Sequence, residues 1–263
     1  MINDAFFEQP DIAIKDRRFG GISRLYGEEA AIRFQGANVC VVGVGGVGSW
    51  ALEALARSGV GHLVAVDLDM IAESNTNRQI HALESQFGKA KVVAMAERIL
   101  EINSQCKIDL IEDFITDDNL PEILTDQFDI VIDAIDQSAM KVAMIAHCKR
   151  IGVDIIVAGA AGGKSDPSEI KMADLALTVQ DPLLAKVRAK LRRDYGFSRV
   201  TGKRFGVTAV YSTEPVRYPK QSGQCAIQSN LNCAGFGSSV CVTATFGMFA
   251  ASAALAVIER RLR

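Results

Sequence analysis

Val39-Cys40-Val41-Val42-Gly43-Val44-Gly45-Gly46-Val47-Gly48 is the stretch that decides the fold. A short β-branched run enters a cluster of glycines, and a helix is predicted from about Gly46 to Ser58. In such a strand–turn–helix unit the first glycine permits the tight turn. The second lets the backbone approach a phosphate, and the third packs helix on strand. Amides at the helix start then face the anion. His62 to Asp67 reads as a second strand, and Asp67 stands where an acid takes ribose hydroxyls in this arrangement. A glycine turn without a ligand does not explain both parts falling in register. A nucleotide site is expected, with Gly43, Gly45, Gly46 and Asp67 among its contacts.

Working outward, apolar runs alternate with helical patterns. A helix follows Gly88, with Val92, Val93, Met95, Ala96, Ile99 and Leu100 at helical spacing. Ile108 to Ile111 and Asp129 to Asp136 read as the third and fourth strands, Met140 to Lys149 as a helix, and Asp154 to Gly159 as a fifth strand. After Gly162-Gly163 the strands shorten and partly alternate (Glu169 to Leu177, Val207 to Thr213), around a basic helix from Pro182 to Tyr195. The fold class expected is α/β: a Rossmann-like, mostly parallel sheet with a mixed or antiparallel C-terminal extension. Residues 1–160 form an N-terminal arm and nucleotide half, and 161–263 a substrate and dimerisation half, of one continuous domain.

The 263 residues carry 29 Lys+Arg against 31 Asp+Glu, so any nucleic-acid contact must come from a local patch. The N-terminus shows no basic-then-apolar leader with a cleavage site, which points to a cytoplasmic protein. Six cysteines include no C-x-x-C pair, so no structural zinc is expected. Cys40 and Cys241 sit in apolar runs and read as small core hydrophobes. Gln221 to Ile258 holds no charge, and residues 240–258 are long and apolar enough to span a bilayer. Richness in Gly, Ala, Ser and Thr favours a closely packed buried helix, with membrane association as the alternative.

Taken alone, the glycine loop favours NAD at least as readily as ATP. The residues after it argue for a triphosphate. Asp67-Leu68-Asp69-Met70-Ile71-Ala72-Glu73-Ser74-Asn75-Thr76-Asn77-Arg78-Gln79 offers an arginine, amides and a second acid, and Lys91 follows at a helix start. A phosphorus under attack needs cations aimed at its oxygens, which Arg78 and Lys91 supply. Asp136 lies on the same sheet edge as the glycine loop and suits Mg²⁺, which takes carboxylate and phosphate oxygens. Lys89 reads as a solvated surface charge.

Five motifs in this order (Gly-x-Gly-Gly-x-Gly, Asp-x-Asp, Ser-Asn-x-Asn-Arg-Gln, Gly-x-x-Lys, and the strand leading to Asp136) resemble the ThiF/MoeB/HesA family, adenylating relatives of ubiquitin-activating enzymes. The likeness runs from about Arg18 to Ala160. It implies ATP and Mg²⁺ as cofactors and ribose binding by Asp67. It also implies phosphate contacts from Asn75, Arg78 and Lys91, and a catalytic set of Arg78, Lys91 and Asp136. Asp69 and Gln79, inside the same motifs, join the nucleotide contacts. Family members pair as homodimers, an N-terminal arginine reaching into the neighbour's site. Here that is Arg18 or Arg24, because Gly20-Gly21 replaces the Asn-Arg of sulfur-carrier activators.

Lys186, Arg188, Lys190, Arg192, Arg193, Arg199, Lys203 and Arg204 face Asp194 as the only acid between them. Leu183, Leu184, Val187 and Leu191 give the helix an inward stripe, leaving the cations outward to neutralise RNA phosphates; a solvated helix face is the plainer reading. This zinc-free arrangement, followed by Gly235 to Gly247, resembles the family branch that dehydrates threonylcarbamoyladenosine in tRNA with ATP. The alternative acceptor is a small sulfur-carrier or ubiquitin-like protein, and a nicotinamide-binding oxidoreductase is a third reading. Cys225 and Cys233 read as inert loop thiols, with a reactive thiol or a contact to a sulfur-relay protein as the less favoured possibility.

Overall fold

A computed structural model of the chain describes residues 17–218 and 236–260. The elements run α1 (Gly20–Tyr26), α2 (Glu28–Gly36), β1 (Asn38–Val42), α3 (Gly48–Arg57), β2 (His62–Val66), α4 (Lys91–Ile102), β3 (Lys107–Ile111) and α5 (Leu120–Ile123). They continue with β4 (Ile130–Asp133), α6 (Ser138–Ile151), β5 (Asp154–Ala158), β6 (Ile170–Asp174), α7 (Pro182–Asp194), β7 (Thr208–Ser212) and α8 (Val240–Arg260). One seven-stranded sheet has the order β3-β2-β1-β4-β5-β7-β6. Every pairing is parallel except β6 with β7, so the expected α/β class and its antiparallel C-terminal edge are both present. The strand order reverses between β1 and β4, which opens a ligand crevice beyond their C-terminal ends.

Alternation along the central strands sorts side chains onto two cores. Val39 and Val41 of β1, Ile130 and Ile132 of β4, and Ile156 and Ala158 of β5 face the core made with α3, α4 and α8. Cys40, Val42, Val131, Ile155 and Val157 face the opposite core, with α5, α6 and α7. Strands buried on both faces therefore read as unbroken β-branched runs rather than alternating ones.

The 21-residue helix α8 is long and apolar enough to cross a membrane, and 56% of its apolar window is buried in the fold. Phe246, Ala250 and Ala254 are fully covered. A Cβ on Gly247 would lie 2.5 Å from the Val47 carbonyl oxygen and 2.7 Å from Trp50 Cβ. The small residues that tempered a membrane reading of this stretch thus let α8 lie against α3. Cys241, expected in the core, is instead exposed, because it falls on the solvent face of the first turn of α8, whose other face buries Val242 and Thr243.

Other elements differ from expectation. Helices α1, α2 and α5 were not foreseen; they are short, and α1 buries no residue. The strand read over Asp129 to Asp136 ends at Asp133, whose carboxylate accepts a hydrogen bond from Ile135 N (3.2 Å) and turns the chain. The strand read to Leu177 ends at Asp174, whose side chain accepts from Ala176, Phe205 and Gly206 amides and starts a 3₁₀ turn. Gly247→Val should destabilise the protein by about 1–3 kcal/mol through overpacking against α3, read from urea unfolding midpoints.

Candidate nucleotide site and RNA face

The glycine loop is held by sterics that no side chain tolerates. A Cβ on Gly48 would sit 1.8 Å from the Gly43 carbonyl oxygen, and Gly43 itself has φ +90°. A Cβ on Gly43 would also meet Ala134 and Ile135 at 3.0 Å, so the loops after β1 and β4 touch where the strand order reverses. Asp136 lies in that second loop, exposed and three residues beyond the strand end rather than on it.

Asp67, 9% exposed, ties the loop to the next strand. Its Oδ2 accepts from Val44 N at 2.7 Å and its Oδ1 from Asp69 N at 2.9 Å. Burial raises its pKa, against the opposing pull of Lys91 and of the two amides. A carboxylate has about four acceptor positions, so ribose hydroxyls can still be taken. Lys91 opens α4, is 5% exposed, and donates to Asp69 Oδ2 at 2.6 Å with Asp67 Oδ1 at 3.7 Å.

The Ser74–Gln79 turn lies over the glycines. Arg78 packs its stem within 3.2–3.3 Å of where a Gly46 Cβ would stand, and its Nη1 donates to Ser74 O (2.7 Å) and Asn77 Oδ1 (2.9 Å). Its carbonyl accepts from Trp50 Nε1 (2.9 Å) and Thr243 Oγ1 (3.4 Å), which pins the turn to α3 and α8. Asn75 is buried and its Oδ1 accepts from Ala72 N (3.0 Å). Gln79 is 6% exposed, yet its Oε1 has no partner among the described residues, and its Nε2 lies 4.0 Å from where a Gly45 Cβ would stand. An orphaned buried acceptor beside the loop needs a donor, which a nucleotide's ribose hydroxyls or base amino group could supply and its phosphates could not. Gly43, Gly45, Gly46, Asp67, Asp69, Asn75, Arg78, Gln79 and Lys91 are thereby brought to one place.

Arg18 is not. Its guanidinium donates to the carbonyl of Ile102, the last residue of the helix that Lys91 begins. Lys91 and Ile102 are the two ends of this twelve-residue helix, roughly 17 Å apart along its axis. Arg24 is exposed on α1.

Sequence reading missed several buried polar groups. Lys141 and Asp133 form an ion pair at 2.9 Å with neither side chain exposed, under the loop that carries Asp136. His81 is 3% exposed, neither of its ring nitrogens has a partner of good hydrogen-bond geometry among the described residues, and it lies close enough to feel Lys91 and the Val44 backbone. Nothing in the spacing of Ile80-His81-Ala82 distinguishes it from a surface histidine. Among the described residues no group of three or more His, Cys, Asp or Glu is disposed to hold a metal.

The basic helix is only partly as expected. Asp181 caps α7 and also accepts from Ala160 N, which places the helix start at the site edge of the sheet. Lys186, Arg193, Arg199, Lys203 and Arg204 are exposed, and Lys190 half-exposed. Arg188 instead turns in to Thr178 Oγ1. Arg192 donates to Ser198 O (3.2 Å) and stacks 5.2 Å from the Phe205 ring centre. Arg193 is paired with Asp194 at 2.6 Å. Cys225 and Cys233 lie outside the described residues. Burial pushes the Cys106 thiol up to about 11 and Cys148 up to about 12, as expected of inert core thiols.

The chain belongs to the ThiF family, whose model matches residues 21–261. Within it, the chain is 47% identical over 249 residues to the tRNA threonylcarbamoyladenosine dehydratase of Haemophilus influenzae, covering 94% of each. It is 47% identical to the Escherichia coli protein of the same name, covering 91% and 92%. The solved structure of that E. coli enzyme, TcdA (also called CsdL), in complex with ATP superposes with a TM-score of 0.83 at 46% identity, over 92% of this chain and 93% of that one. The same enzyme has been solved with AMP.

His81 carries a pH prediction. Burial, then Lys91, lowers its pKa from the usual 6.5 to about 4, the Val44 backbone pulling the other way. The neutral ring is thus favoured in the folded state, and stability is full above 6.5 and lost as pH falls towards 4. The loss should reach about 3 kcal/mol. Urea unfolding at pH 7, 5.5 and 4.5 should show this acid limb flattened in His81→Leu.

Proposed function

We infer that this chain uses ATP to dehydrate threonylcarbamoyladenosine in tRNA, closing the modified side chain into a ring. The observation that carries the reading is one loop edge where glycine amides, Arg78, Lys91 and the unsatisfied Gln79 converge, in a chain nearly half identical to dehydratases of that name.

ATP lies on the glycine loop, its ribose on Asp67 and its phosphates against the α3 amides, Asn75, Arg78 and Lys91. The threonyl carboxylate attacks phosphorus and expels pyrophosphate or ADP, so that one carboxylate oxygen becomes part of a phosphate-type leaving group. A nitrogen or oxygen of the same side chain then attacks the activated carbonyl, which expels AMP or phosphate with that oxygen while the side chain's proton passes to solvent. Its gain is effective molarity, so no enzyme nucleophile is required. Arg78 is held by Ser74 and Asn77 facing the loop, a preorganised charge that needs no reorientation. Lys91 rests on Asp69 and must shift from it towards phosphate.

A divalent ion fits as well. Asp136 is an exposed carboxylate beside the loop, and Mg²⁺ typically takes one or two carboxylates plus phosphate oxygens and water. Such an ion would offset phosphate charge. Residues 1–160 then form the nucleotide half and 161–263 the substrate half. Arg18, remote from its own site, suits a homodimer in which it completes the partner's. Packing of α8 against α3 supports a cytoplasmic core helix over a membrane span.

RNA would run along α7, from the site edge at Asp181 towards Lys203 and Arg204. Lys186→Glu with Lys203→Glu and Arg204→Glu should weaken tRNA binding while sparing ATP. The slope of log affinity against log salt should fall by about one for each lost phosphate contact. The direct test incubates the protein with ATP and tRNA bearing threonylcarbamoyladenosine. Mass spectrometry should show loss of one water, and an unchanged mass rejects the reading. Arg78→Ala and Lys91→Ala should each cut turnover roughly 100-fold or more, with far smaller changes in ATP affinity.

A further inference from the structure

Beyond the C-terminal ends of β5 and β7 lies a second feature that the nucleotide chemistry does not use. Gly163 N donates to Gly237 O at 2.8 Å, and Arg217 N donates to Gly163 O at 2.8 Å. Gly163 has φ +71°, and a Cβ there would stand 2.9 Å from Val216 Cγ1 and 3.3 Å from Phe236 Cδ1. The bare turn lets Phe236 lie against it. Phe236 in turn meets Tyr218 edge-on, ring centres 5.5 Å apart at 61°.

Tyr218 is 74% exposed, although an aromatic ring gains most from being covered. Beside it Arg217 is also exposed but oriented. Its Nε contacts Glu214 Oε1 at 2.9 Å, while Glu214 accepts from Ser165 N (2.8 Å), Asp166 N (2.9 Å) and Ser165 Oγ (3.1 Å). The pair also connects to the reaction edge. Ser238, two residues after Phe236, accepts from Asn77 Nδ2 at 3.0 Å, and Asn77 Oδ1 holds Arg78.

We propose that Tyr218, backed by Phe236, and Arg217 form a subsite for one unpaired nucleotide of the RNA, its base stacked on the tyrosine and its phosphate on the arginine. This rests on the RNA reading above. An unpaired base offers a π-face to an exposed aromatic whatever its sequence, and a neighbouring fixed cation matches its phosphate. Base pairs inside a stem have no free face to offer. The subsite thus selects a loop over a stem, and holds the loop close to Arg78.

The test compares binding of two RNAs of equal charge, a hairpin with an unpaired loop and a blunt duplex. Tyr218→Ala should weaken hairpin binding about tenfold and leave the duplex unchanged. Tyr218→Trp should restore the hairpin, and Arg217→Gln should lower its salt slope by about one. A thermal shift by ATP equal to the parent's shows each variant folded. Hairpin affinity unchanged in Tyr218→Ala, or hairpin and duplex weakened alike, overturns the subsite. The functional reading fails separately, on an unchanged tRNA mass with the parent protein.

Discussion

Asp67 is a carboxylate taken almost wholly out of water, and three parts of the chain depend on how it is compensated. Val44 N fixes the glycine loop to it, Asp69 N fixes the turn leaving β2, and Lys91 brings the start of α4 alongside. Burial alone would neutralise such an acid, and amides and cation work against that. If any of the three were lost, a buried charge would stand partly unmatched, which costs more than the interaction itself contributes. The loop, the turn and the helix start are therefore coupled through one carboxylate.

That coupling bears on chemistry. Lys91 is buried, so its charge is little screened and acts strongly on whatever phosphate arrives. In the free protein its partner Asp69 is half-exposed, the more easily hydrated member of the pair. In the proposed reaction a triphosphate entering over the loop would compete with Asp69 for the ammonium, Asp67 remaining as its neighbour. Arg78 differs: its contacts are carbonyl oxygens, which orient the guanidinium without neutralising it. One cation is released by ligand and the other stands ready.

What could be read from sequence follows the range of the forces involved. The glycine loop, Asp67 and the buried β-branched strands are local patterns with steric or hydrophobic periodicity, and they appear where the reading put them. The ends of β4 and β6 were misread because single carboxylates, Asp133 and Asp174, turn the chain through side-chain bonds that propensity does not show. The site's supports come from far along the chain: Trp50 and Thr243 on the Arg78 carbonyl, Lys141 beneath the Asp136 loop. Their spacing in sequence carries no signal of that meeting. On α7 the run of cations was legible, but the inward turn of Arg188 to Thr178 and the stacking of Arg192 on Phe205 were not.

The placement of α7 gives these parts a common direction. Asp181 fixes its start to Ala160 at the edge where the glycine loop opens, and Lys149 donates to Gly206 O (2.9 Å) near its far end. Thirteen residues make it roughly 20 Å long. Chemistry that must exclude water sits at one end, in a crevice set by glycine sterics. Exposed lysines and arginines extend from there across the sheet's depth, where counterion release favours a polyanion without specifying its sequence. If RNA lies along α7 as proposed, affinity on this helix and selection at the crevice mouth would act on different parts of one molecule. A polyanion lying along α7 gains nothing at Arg78 unless a nucleotide leaves its stack to reach the loop edge.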